Sequence, residues 1–414
     1  MRRRTLLPLL AALPLLLPTV AHASPALLDP TFGRDGIVTA FPHGGVSAAV
    51  GIDAHHRIIA VGYTIERHPD VVVARFDPDG SPDRSFSGDG QARFDLGGDD
   101  YAFAAAVTAK GGVAITGRRT AREDRVFVLR VNADGRRLRA FSGDGQLFID
   151  AGTRQQSANA IAFTPQGRLV LGGYVSSGIQ ARSVLIRVSP RGALDRGFGG
   201  DGIAVYDIGR GTEQIDDLLA LPGGGIVAAG SAENSQRSRF MILRARSDGR
   251  LAPTFGRANG ATLLDVAKGP DIGNALTTAA SGDYLVAGSS HGDWAVAAVK
   301  PGGNPDLQYG HGGHRVLSGT RSFEQATDIV AAGPKSYVVG TVHGGTYDLG
   351  VARLRSDGSP DATFGGDGRL RLDAAGTRDA GAAGVLQPNG KLVAAGQTWR
   401  QGTPRFLLVR LRTT

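Results

Sequence analysis

Six polar residues stand at matching places in successive stretches of the chain: Asp100, Gln156, Glu213, Asp271, Glu324 and Asp379. Carboxylate and amide oxygens converging on one centre suit a hard cation or a polyhydroxylated ligand. The same groups scattered around a wet opening are only a hydrated rim. Three residues past a recurring glycine come His291, His343 and Trp399, either a local ligand-binding cluster or solvated loop side chains. His311 and His314, in "HGGH", offer two metal ligands with no identifiable third, so a turn is the simpler reading. Segments such as "DPDGSPDRSFSGDG" carry oxygens that calcium could use. No unit holds the full calcium-loop ligand set, and turn-forming Asp and Gly account for the same letters. The chain has no nucleophile elbow, phosphate-binding loop or zinc-protease helix motif. With no cysteine, disulfides, thiolate metal sites and a Cys nucleophile are excluded. No catalytic residue is assigned and no cofactor is expected, a divalent cation such as Ca2+ being the open alternative.

The elements that position these residues follow from repetition. "LDPTFGRDGI" at Leu28 returns as "LDRGFGGDGI" at Leu194, with weaker copies between and beyond. Its aromatic marks Phe32, Phe86, Phe141, Phe198, Phe255, Tyr309 and Phe364, spaced 54 to 57 residues apart. Glycines closing an apolar run keep the same period at Gly62, Gly117, Gly173, Gly230, Gly288, Gly340 and Gly396. A base closing another run does so at Arg75, Arg130, Arg187, Arg244, Lys300, Arg353 and Arg410. Within a unit the apolar segments are short, β-branched and cut by turn residues, which reads as four strands. Strands are expected, for example, over 36–41 and 48–53. Four antiparallel strands in each of seven units predict a single seven-bladed β-propeller over residues 24–414. The chain starts on an outer strand and stops after a third strand, so its two ends are predicted to share one blade and close the ring. The repeated acids Asp29, Asp83, Asp195, Asp306 and Asp361 are candidates to pair with the repeated base.

Residues 1–23 combine Arg2–Arg4, a short leucine-rich run and "AHA", the three parts of a secretory signal peptide. Export to a periplasm or the cell exterior is therefore expected. Its removal lowers the net charge from +8 to +5. The remaining bases are interleaved with acids, which argues against a nucleic-acid partner. No transmembrane anchor and a monomeric state are expected.

The phrase L-D-x-x-F-G-x-D-G, with "DGRLRLDAAGTRDAGAAGVLQPNGKLVAAG" and "RFLLVRL", resembles the bacterial delta-60 repeat family of predicted β-propellers over Leu28 to Thr414. That resemblance implies an exported propeller and brings no catalytic residues. Leu138 and Ala252 replace the phrase aspartate, and "YGHGG" replaces "FGxDG". The expected function is non-enzymatic binding of a protein or glycan through the variable loop face. The alternative is a metal-assisted, lactonase-like hydrolase with a cation in the central channel.

Overall fold

Each recurring glycine faces a carbonyl it could not tolerate with a side chain. A Cβ on Gly62, Gly117, Gly173, Gly230, Gly288, Gly340 or Gly396 would lie 1.9 to 2.1 Å from a carbonyl oxygen of the neighbouring strand, far inside contact distance. The close approach arises because that neighbour is bulged just beyond the glycine in every unit, for example between Ala158 and Ala160 and between Ile215 and Asp217. A bulge bends and twists its strand, and seven in register turn the innermost strands of the units into a ring. In the computed structural model, which describes residues 27–413 apart from 42, 210, 234–236, 258, 268, 318–323 and 375–377, this ring is complete. The expected signal segment, 1–23, lies outside the described residues.

Twenty-eight strands, from β1 (Ile37–Ala40) to β28 (Thr403–Leu411), form seven four-stranded antiparallel sheets. The described residues contain no α-helix, and among them no helix is long and apolar enough to cross a membrane. Blades 1 to 6 each run outward from a long inner strand to a four-residue outer one, as from Val46–Ile52 to Gln91–Phe94. Strands expected over 36–41 and 48–53 are found at Ile37–Ala40 and Val46–Ile52. Blade 7 is the shared one: β1 pairs with β28 from Ile37↔Val409 to Ala40↔Phe406, as predicted.

The core lies between blades rather than within them. Each of the seven buried apolar clusters joins two neighbours, as Phe32, Ile58, Val72, Val393 and Phe406 join blade 7 to blade 1. The phrase aromatics are buried, none more than 3% exposed. Phe32, Phe86, Phe198, Phe255 and Tyr309 lie against a turn glycine of the next blade: a Cβ on Gly80 would lie 2.8 Å from the Phe32 ring, and one on Gly358 would lie 2.7 Å from Tyr309.

Phrase aspartate and repeated arginine do pair, and the pairs are buried except Arg187–Asp195, which is half-buried. Arg75 Nε donates to Asp83 Oδ2 at 2.7 Å, its Nη1 to the Ala133 carbonyl of the next blade at 2.5 Å, and its guanidinium covers Phe86 at 4.8 Å. Arg187, Arg353 and Arg410 repeat the set with Asp195, Asp361 and Asp29. The fifth unit departs from expectation. Ala298, not Lys300, holds the strand position, since Ala298 N donates to Gly313 O and Asp306 N to Ala298 O just as Arg75 and Asp83 do with their partners. Lys300 falls in the turn beyond.

Candidate functional site: the variable face

Antiparallel alternation puts two kinds of connection on each face of the ring. One face carries the first hairpin turns, which span five residues in six of the seven blades, and the repeated phrase. The opposite face carries the second hairpin turns, which range from two residues at 291–292 to seven at 64–70, together with the links between blades. Variation on a rigid scaffold concentrates there, and the Asp100 series and the three loop candidates lie on that face, whereas His311 and His314 lie with the repeated phrase on the other.

The six polar candidates are placed in six separate seams, five of them (Asp100, Gln156, Glu213, Asp271 and Asp379) with the side chain turned to its own loop. Asp100 is fully buried and Asp100 Oδ2 accepts the Leu96 N–H at 2.7 Å. Gln156 Oε1 accepts Ala151 N–H at 2.7 Å, and Glu213 accepts the N–H groups of Ile208 and Gly209. Asp271 Oδ2 takes Val266 N–H at 2.9 Å, and Asp379 Oδ2 takes Ala374 N–H at 2.6 Å. Glu324 is buried as well, its backbone N–H donating to Gly292 O. They tie the inter-blade links to the inner strands rather than gathering at the axis. Burial pushes the carboxyls of Glu213, Asp271 and Asp379 upward, and that of Asp100 up to about 6, where neighbouring Asp70 and Asp95 add to the effect.

Two seams hold acids in excess. Asp70, Asp95 and Asp100 between blades 1 and 2, and Asp348, Asp373 and Asp379 between blades 6 and 7, each present oxygens within 4.8 Å of one another. These two triads are the groups among the described residues that bring three such ligand atoms together; His311 and His314 belong to neither. Arg93 meets Asp70 at 2.5 Å and Glu66 at 2.7 Å, and Arg371 meets Asp348. In blade 3 an arginine stands at the Asp70 position, Arg182, and pairs with Asp207 at 3.1 Å.

Of the three loop candidates, the structure joins two. His343 packs edge-on to Tyr347, ring centres 4.9 Å apart. Arg378 lies 5.0 Å from the Tyr347 ring and 4.8 Å from Trp399, so indole, guanidinium and phenol form one stack across the seam of blades 6 and 7. His291 sits apart, an exposed turn residue of blade 5 with φ 52°. The stacked residues are half-buried and Arg378 is exposed.

Sequence reasoning missed the polar residues of the inner ring. Asn159 Nδ2 donates to Ile215 O and Asp216 Oδ1 of the next blade, both at 3.2 Å, and Asn274 Nδ2 donates to Ala326 O at 2.7 Å. Asp217 Oδ2 accepts Leu276 N–H at 2.7 Å, and Asp328 Oδ2 accepts Gly384 N–H at 2.6 Å, each from the following blade. Burial pushes Asp216 and Asp217 up to about 7, Asp328 adding to the rise at Asp217, while burial takes Asp328 to about 6. The signal lay in the aligned repeats, where five blades have alanine at this position and these two have aspartate.

A family model described as a domain of unknown function, DUF5122, beta-propeller, matches residues 57–86, 164–198, 335–364 and 387–414. No curated protein matches the chain. Among solved structures it is similar to a catalytically inactive virginiamycin B lyase from Staphylococcus aureus with quinupristin (10% identity, 90% of this chain and 98% of that one, TM-score 0.55). It is also similar to a streptogramin B lyase (8% identity, 91% and 97%, TM-score 0.55) and to the polysaccharide lyase Uly1 (11%, 90% and 90%, TM-score 0.50). At such identities the likeness is one of fold, and together with the four matched segments it supports a propeller repeat family.

Proposed function

We propose that the protein is an exported, non-enzymatic propeller that binds a glycan on its variable face, at the seam of blades 6 and 7. The observation that carries this is the Tyr347–Arg378–Trp399 stack beside Asp348 and Asp373. Flat π surface suits the apolar face of a sugar ring, and adjacent carboxylates and guanidinium suit its hydroxyls. Export rests on the three-part N-terminal segment. The inner-ring carboxylates lend no support to a channel hydrolase, because both oxygens of Asp217 and of Asp328 already accept backbone N–H groups.

The test is a glycan array probed with the full chain and with a Tyr347→Ala/Trp399→Ala double variant. Saturable binding that weakens at least tenfold in the variant is expected. Equal binding by both, or no glycan bound while a defined protein partner competes for this face, overturns the reading.

A further inference from the structure

Blade 5 keeps the aspartate, the aromatic and the next-blade carbonyl that hold the repeated arginine, has Gln308 in place of the hydroxyl, and lacks the arginine. In blades 1 and 6 the guanidinium is held by four groups: the phrase aspartate, a hydroxyl two residues later, the phrase aromatic beneath it, and a carbonyl of the next blade. For Arg353 these are Asp361 at 2.9 Å, Thr363 Oγ1 at 2.6 Å, Phe364 at 5.0 Å and Thr413 O at 2.5 Å. For Arg75 they are Asp83, Ser85 at 2.8 Å, Phe86 and Ala133 O. The corresponding residues around Ala298 are Asp306, Gln308, Tyr309 and Ser356. All of them line one cavity of about 380 Å³, opening on the face that carries the repeated phrase.

We infer that this cavity is a binding site for a guanidinium group, presented by a small alkylguanidine or by an arginine of a partner. The alanine removes the side chain and leaves its socket. Asp306 Oδ2, the counterpart of the atom that receives the arginine elsewhere, accepts no hydrogen bond among the described residues, the contacts of this carboxylate going to Oδ1, and the buried Tyr309 hydroxyl has no partner among them. Lys300 approaches Asp306 Oδ1 only to 3.5 Å, with its side chain 54% exposed, so it borders the socket without filling it. Lys335 and Arg355, also at the rim, are engaged by Asp361 at 2.8 and 3.8 Å. A planar cation here meets Asp306 Oδ2, the Ser356 carbonyl and an aromatic face at once, as the arginines of the other blades do; a compact ammonium matches only the charge. The site is on the opposite face from the proposed glycan seam and stands whether or not that reading does.

Ethylguanidinium at millimolar concentration, followed by calorimetric titration and melting of the full chain, tests it, with ethylammonium as control. One saturable equivalent that raises the melting temperature is expected, with ethylammonium at least tenfold weaker. Ala298→Arg fills the socket from within and is expected to abolish binding while keeping the fold. Lys300→Gln removes the competing cation and is expected to tighten binding. An arginine-containing peptide that competes at lower concentration assigns the source to a partner; one that fails to compete assigns it to a free alkylguanidine. Absence of saturable binding, or binding undiminished in Ala298→Arg, overturns the inference.

Discussion

At Asp361 one buried carboxylate answers Lys335 at 2.8 Å, Arg353 at 2.9 Å and Arg355 at 3.8 Å. Lys335 contributes most to holding this carboxyl well below the usual range; burial opposes, and Thr363 and Arg353 support ionisation. Sequence alone licensed the view that such a pair merely orients its turn, because exposure was unknown. With Arg353 and Asp361 each 2% exposed, removing one charge strands the other. Asp361→Asn is expected to cost about 3–5 kcal/mol, against less than about 1 kcal/mol for Asp306→Asn, whose one cation is half in water. The reverse change belongs to blade 2. Arg130 stacks on Phe141 and Phe163, but its Nε is unpartnered because Leu138 stands where the aspartate would be. Leu138→Asp is expected to stabilise by about 1 kcal/mol. Urea unfolding of the three variants measures all of this, and equal costs for the two aspartates would contradict it.

The inner strand is the element whose irregularity organises the others. Its bulge demands the glycine beside it, and where Asp217 and Asp328 follow the bulge their carboxylates bridge to the N–H of Leu276 and Gly384 on the next blade. Both groups have pKa values raised from 3.8, to about 7 and about 6. Between those limits the folded chain holds protons that the unfolded chain has released, so this stabilisation is complete below about pH 4 and fades as pH rises through 6 to 7. Asp29, Asp83, Asp195 and Asp361, held low, act oppositely and withdraw stability only below about pH 4. Asp217→Ala/Asp328→Ala, which installs the residue of the other five blades, should therefore lower the melting temperature more at pH 5 than at pH 7.5. Parallel calorimetric profiles for variant and wild type would refute the assignment. The period of glycine, aromatic and base was legible because each mark answers a contact every blade must make. Ala298 was not, because Lys300 supplied a base two residues away and spacing cannot tell a strand end from the following turn. Nor could spacing show that the Asp100 series turns to its own loops, since residues at one height on seven strands read alike whichever way they point. The Tyr347–Arg378–Trp399 stack draws on two blades, and such contact has no period to reveal it.

For the whole molecule, seven seams with seven separate apolar clusters mean that no blade owns a core, and stability depends on the ring being closed. Closure runs through the first and last described segments. β1 covers the edge of β28, Asp29 binds Arg410 at 2.8 Å and Lys391 at 2.6 Å, Phe32 is fully buried, and Arg412 N–H donates to Leu27 O. Deleting residues 27–40 would bare the β28 edge, unpair two cations and empty the Phe32 site. Broad, noncooperative melting and aggregation through that edge are expected. Connectivity itself should matter little, because the first and last described segments meet. A circular permutant that joins them through a short linker and opens at the Gln401–Gly402 turn keeps every strand pair and every seam. It is expected to melt cooperatively within a few degrees of the parent, as measured by calorimetry and light scattering. A truncated chain that melts like the parent would show that the shared blade is dispensable; a permutant that fails with the truncation would show that chain order, not ring closure, holds the fold.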